Sequence, residues 1–204
     1  MKNELIQMGA LCEEAISLAA KALTDGEFDL AEKAVLLDKE IDQMERDIET
    51  LCLKLLLQQQ PVACDLRQIS AALKIITDME RIGDQAADIA EIILTIRWAH
   101  YVPEDVGHIR EMAQETIKMV RSSVDSYVHQ DIERARAVIS SDDIIDRYFI
   151  QVRKVLIKKI VDDPTAGEHI LDLLMIDKYL ERIGDHAVNI AKWVIFSVTG
   201  TKGG

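Results

Sequence analysis

Residues Glu80-Arg81-Ile82-Gly83-Asp84 recur as Glu181-Arg182-Ile183-Gly184-Asp185, an offset of 101 in a chain of 204 residues. The match continues past the pentapeptide. Ala86/Ala187, Ile89/Ile190 and Ala90/Ala191 are identical in register, and Asp88 stands opposite Asn189. A repeat spanning half the chain means one structural unit used twice, so an account of the first half must also serve the second. What repeats most faithfully is acidic, with two carboxylates four residues apart, which points toward cations rather than core packing.

The rest of the chain reads as helix. It is 49% hydrophobic and 4% aromatic, with 9 Gly and 3 Pro, a balance that favours long elements and few turns. There is ample apolar material for a core. A net charge of −12 argues against nucleic acid as a partner, because phosphate contacts need clustered Lys and Arg. It suits metal cations or basic protein surfaces. Cys12, Cys52 and Cys64 form an odd set without close spacing; Cys12 and Cys52 fall on apolar helix faces and are expected as buried free thiols in a reducing compartment. Met1-Lys2-Asn3-Glu4 does not resemble a signal peptide, and no stretch approaches the ~18 apolar residues of a membrane span. A soluble cytoplasmic protein is expected.

Six helices follow from the 3-4 spacing of apolar residues. They are expected at about 2–23, 29–59, 66–98, 104–128, 132–161 and 168–198. Thr24-Asp25-Gly26, Pro61 and Asp163-Pro164-Thr165-Ala166-Gly167 break the pattern, and Asp65 is a candidate cap for the third helix. The spacing thus predicts an all-α fold of two tandem, sequence-repeated three-helix bundles: residues 1–98, a linker at 99–103, residues 104–198, and a flexible tail at 199–204.

The second helix carries Asp38 and Asp42, and the fifth carries Asp142 and Asp146. In an antiparallel hairpin, residues equidistant from the turn lie level, since each advances ~1.5 Å. Asp42 and Asp84 are equidistant from residue 63, as are Asp38 and Asp88. Asp146 and Asp185, and Asp142 and Asn189, are equidistant from a point between Thr165 and Ala166. Acids on facing helices should therefore converge, with Glu80 and Glu181 one turn further on. Repeated like charges at this spacing are unfavourable by ~0.2–0.5 kcal/mol per pair, so they need protons, arginines or cations beside them. Arg81 and Arg182 follow the Glu residues and are expected to point about 100° around the helix, toward a neighbouring element. An all-carboxylate set selects hard cations: Mg, Mn, Ca or ferric iron. The bland alternative is a solvated or arginine-paired stripe. His186 has Gln85 as its counterpart and lies outside the repeated design; His100, His108, His129 and His169 read as surface or capping residues. Trp98, Tyr101 and Trp193 read as packing. A ferritin-like site needs Glu-x-x-His pairs, and none occurs. No phosphate loop or nucleophile–base set is visible, so no enzyme is expected.

The run Gln58-Gln59-Gln60-Pro61-Val62-Ala63-Cys64-Asp65-Leu66-Arg67, then Ala72 to Asp84, and the run Leu180 to Ala191 resemble the PhoU family of phosphate-system regulators. The resemblance covers essentially the whole chain. It implies two three-helix bundles with metal sites, sometimes multinuclear, carried over here as Asp38, Asp42, Glu80 and Asp84 in the first and Asp142, Asp146, Glu181 and Asp185 in the second. Asp88 and Asn189 extend the motif by a turn, and Asn189 departs from the pattern by one charge. It also implies a negative regulator of phosphate uptake and the phosphate-starvation response, acting on the phosphate ABC-transporter ATPase subunit and a membrane sensor histidine kinase, in many members as a homodimer. The alternative is a metal-storage protein or metalloenzyme built on the same carboxylates.

Overall fold

The chain's computed structural model describes residues 1–59, 62–98 and 107–201. They form α1 (Lys2–Asp25), α2 (Asp29–Gln59), α3 (Ala63–Trp98), α4 (Gly107–His129), α5 (Ile132–Asp162), a 3-10 turn at Pro164–Ala166, and α6 (Gly167–Thr199), with no strand among the described residues. The all-α expectation holds, and each boundary falls within three residues of its expected place. The linker, Pro61, His100 and Tyr101 lie outside the described residues, as do residues 202–204 of the tail.

Local chemistry explains the ends. Gly26, at φ 73°, takes the left-handed conformation after α1, which only glycine adopts without a Cβ penalty. Asp131 caps α5 by accepting the Arg134 backbone N–H at 3.0 Å. Asp163 does the same for Thr165 in the turn before α6. Asp65 is not a cap: α3 already runs from Ala63 and places Asp65 in its first turn, where a carboxylate favours the helix dipole.

The two sets of three helices are joined side by side rather than strung out. Across the seam, Asn189 meets Asp78 and Tyr179 meets Asp88. The partner therefore descends α6 as the chain climbs α3, and the two helices are antiparallel. The same holds for α1 and α4, where Lys2 donates to the Val128 carbonyl, Glu13 pairs with Arg121 and Asp25 with Arg110. An approximate two-fold axis relates the halves, with Gly83 and Gly184 level at its centre. α1, α3, α6 and α4 close a ring in which each packs on the next, while α2 lies outside on α1 and α3, and α5 lies outside on α4 and α6. One continuous apolar core fills the ring and both flanks. The outer position of α2 explains its narrow buried stripe: Ala34, Ile41, Ile48 and Cys52 are buried, whereas Leu37, Met44 and Leu55 are only partly so. Cys12 and Cys52 are buried and Cys64 exposed, all three as free thiols.

Candidate metal centre

Asp38 and Asp42 stand one turn apart on α2, and Glu80 and Asp84 one turn apart on α3. One carboxylate oxygen from each of Asp38, Asp42 and Asp84 lies within 4.8 Å of the others, and all three side chains are half-buried. Asp38 Oδ1 is shielded from solvent and has no hydrogen-bond partner. Gly83 opens the space: a Cβ there would lie 3.0 Å from Ile41 Cδ1 and 3.4 Å from Asp38 Oδ1.

The convergence expected from the hairpin is present, with its register displaced. Asp84 reaches Asp38 as well as Asp42. The cause is the early start of α3. The level line falls midway between Gln59 and Ala63, so each α2 residue meets a slightly earlier α3 residue. Thr77, for example, donates to Glu45 at 3.3 Å. Glu45 is thereby a member of the acidic surface that the four-residue spacing alone did not reveal; it lies three residues beyond Asp42 on the same face.

Burial and mutual repulsion set the electrostatics. Burial first, then Asp84, Asp42, Asp88 and Glu91, raise Asp38 above the usual carboxylate range. Burial and Asp84 raise Glu80, with Arg81 opposing. Arg81 does not leave its own acids as its position on the helix suggested. Its exposed guanidinium curls back to Asp84 at 2.7 Å and Glu80 at 3.3 Å, because a long side chain with a rim position can follow the helix surface. Arg46 stands 3.6 Å from Asp42 at the opposite rim. Both arginines approach from solvent, and neither reaches Asp38 Oδ1.

The second cluster is looser. Asp142 is raised by burial and then by Asp185, Asp146 and Glu181, with Lys192 opposing. Asp185 is raised by burial and Glu181, with Lys178 and His186 opposing. Lys178 donates to Glu181, while Asp146 and Asp185 are exposed. Among the described residues, the first cluster alone brings three ligand groups within 4.8 Å. A built Cβ at Gly184 would lie 3.5 Å from Ile145, so the two helices are less tightly apposed there.

Asp88 and Asn189 turn away from a simple extension of these motifs. Both reach across the seam, Asp88 to the Tyr179 hydroxyl and Asn189 to Asp78 at 3.4 Å. Asp88 still adds its charge to Asp38. His186 meets Asp78 at 2.9 Å, which holds it in the seam. The donors around Asp38 are thus all oxygen, a set suited to a hard cation. Among the described residues no helix is long and apolar enough to cross a membrane.

The PhoU domain model matches this chain twice, at residues 5–93 and 109–194. The phosphate-specific transport system accessory protein PhoU homolog of Pseudomonas aeruginosa is 34% identical over 201 residues, covering 98% of this chain and 83% of that protein. The Clostridium acetobutylicum homolog is 33% identical, covering 98% of this chain and 91% of its own length. The crystal structure of PhoU from Pseudomonas aeruginosa superposes with a TM-score of 0.92 at 35% identity, covering 98% of this chain and 95% of that one. That of the phosphate transport system regulatory protein PhoU from Streptococcus pneumoniae gives 0.89 at 25%, covering 99% and 95%. With its repeat, its ring of helices and both matched domains in place, this chain belongs to the PhoU family.

Proposed function

We propose that the protein is a non-enzymatic, metal-bearing adaptor in the cytoplasm that restrains phosphate uptake and the phosphate-starvation response. In this reading it acts on the phosphate transporter's ATPase subunit and on a membrane sensor histidine kinase, as a homodimer. The observation that carries the metal part is the first cluster: Asp38, Asp42 and Asp84 offer oxygens within 4.8 Å of one another, around a buried, unpartnered Asp38 Oδ1. Glu80 completes the set from the next turn of α3. An iron, manganese or magnesium ion would neutralise the half-buried carboxylates, give the shielded Asp38 Oδ1 a partner and tie α2 to α3. The second cluster, with Asp142, Asp146, Glu181 and Asp185, would bind more weakly because Lys178 and Lys192 already offset its charge. Kinship with accessory proteins of phosphate transport supports the regulatory part.

Two measurements test the proposal separately. Metal content after chelator-free purification should fall for Asp42→Ala/Asp146→Ala relative to the unaltered chain; equal content in both would refute the metal assignment. A deletion strain in high phosphate should express its starvation genes; continued repression would refute the regulatory role.

A further inference from the structure

The two outer helices are related by the repeat, yet their solvent faces differ in charge. Between Asp146 and Asp162, α5 carries Arg147, Arg153, Lys154, Lys158 and Lys159 and no acid, in a chain of net charge −12. At the equivalent places α2 has Gln43, Glu49, Thr50, Lys54 and Leu55. Ile150, Ile157 and Val161 are exposed, Val161 to 74%. At 100° per residue these three fall within about 40° of arc. Arg153 flanks them on one side, and Arg147, Lys154 and Lys158 on the other, all exposed. Arg147, Lys154 and Lys158 form no ion pair among the described residues. Arg153 lies 6.0 Å from the Phe149 ring centroid, and Lys178 of α6 lies 5.4 Å from it. The patch therefore continues onto the α6 stripe of Lys178, where Met175 and Leu171 are also exposed.

We infer that this flank of α5 docks an acidic helix of a protein partner, one that presents aliphatic side chains along a stripe bordered by Asp and Glu. Charge complementarity sets the sign of the partner. The boundaries set its kind. Arg147 to Val161 spans about 21 Å of helix, and acids close both ends: exposed Asp143 and Asp146 before it, Asp162 and Asp163 after it. A flat anionic lipid surface resting on the patch would also press on those acids, whereas a helix of about four turns would not. The inference shares with the adaptor reading only the expectation of a protein partner. It does not depend on the Asp38 cluster, from which the patch is separate, although Arg147 follows Asp146 and Lys178 pairs with Glu181 of the second cluster.

The test is photocrosslinking in cells grown at high phosphate, with Ile157→benzoylphenylalanine in the full chain and Leu36→benzoylphenylalanine on the α2 flank as control. The inference expects an adduct at 157 and not at 36, mapped by mass spectrometry to an acidic helix. Arg153→Glu/Lys154→Glu/Lys158→Glu should cut its yield about tenfold, with melting temperature and metal content unchanged. Should that variant misfold, Lys154→Gln/Lys158→Gln gives the same reading with a smaller drop. No adduct above the control, an adduct on a neutral or basic surface, or a yield indifferent to both variants would overturn the inference. So would sedimentation of the purified chain with phosphatidylglycerol vesicles that is lost in the charge variants, which would assign the patch to lipid. A chain without metal that still gives the adduct separates failure of the metal reading from failure of this one.

Discussion

At the scale of single residues, two positions show how the repeat has diverged. Asp177 is fully buried in α6, and neither of its oxygens has a hydrogen-bond partner. The first half places Ile76 at the corresponding position, equally buried. Burial, then the charge of Glu181, pushes the Asp177 carboxyl up to about 8. A folded-state value above the unfolded one means that the native chain holds the proton more tightly. Its contribution to stability is therefore fully present below the ordinary carboxylate pKa and is lost as pH rises toward 8, by an amount on the order of 4 kcal/mol at neutral pH. Asp177→Ala should then raise the melting temperature of the metal-free chain at pH 8 by several degrees and flatten its fall between pH 5 and 8; differential scanning calorimetry across that range checks both. The second position is Gly83. Alanine there would press a methyl against fully buried Ile41 and toward Asp38, so Gly83→Ala is expected to destabilise by about 1–3 kcal/mol despite its better helix propensity. At Gly184 the same methyl meets Ile145 at ordinary contact distance, so Gly184→Ala should be neutral or stabilising by up to ~1 kcal/mol. Parallel urea denaturations of the two variants decide this.

At the scale of helices, the seam between α3 and α6 is held by a small polar set in an otherwise apolar contact. Asp78 receives His186 at 2.9 Å and Asn189 at 3.4 Å, and the matching pair across the axis is Tyr179 with Asp88. Asp78→Ala leaves His186 and Asn189 without their acceptor and should lower stability by about 1–3 kcal/mol. A double-mutant cycle with His186→Ala should return a coupling above ~0.5 kcal/mol; purely additive losses would mean the pair contributes nothing of its own. Helix identity was legible in the sequence because apolar spacing and turn residues agree along the chain. The three acids were legible too, since four-residue spacing on two facing helices leaves them little choice but to meet. The register was not, because Ala63, Cys64 and Asp65 carry no signal that α3 starts before Asp65. Nor was the seam: Asp88 and Asn189 share the helix face of the acidic motif, and only packing between the halves shows that they reach across it. Asp177 went unmarked for the same reason, as one more acid before Glu181 until its burial is known.

At the scale of the whole molecule, the halves share the ring of α1, α3, α6 and α4, so each covers the other's apolar surface. Residues 1–98 expressed alone should self-associate or aggregate, and a monomeric, cooperatively melting fragment in analytical ultracentrifugation and calorimetry would contradict the shared core. The ring also fixes where the acids lie. Both clusters sit between an outer helix and the ring, level with the approximate two-fold axis, so a cation in either would brace a flank against the centre. A cation in the first of them is tested most directly by thermal melting of the chelator-stripped chain with and without manganese, iron or magnesium. A ligand held only by the native state, at a hundred times its Kd, adds about 2.7 kcal/mol, or about 5–10 °C for a chain of this size. The prediction is a rise of that order for at least one of these cations, abolished in Asp38→Asn/Asp84→Asn. A melting temperature indifferent to all three cations would contradict it.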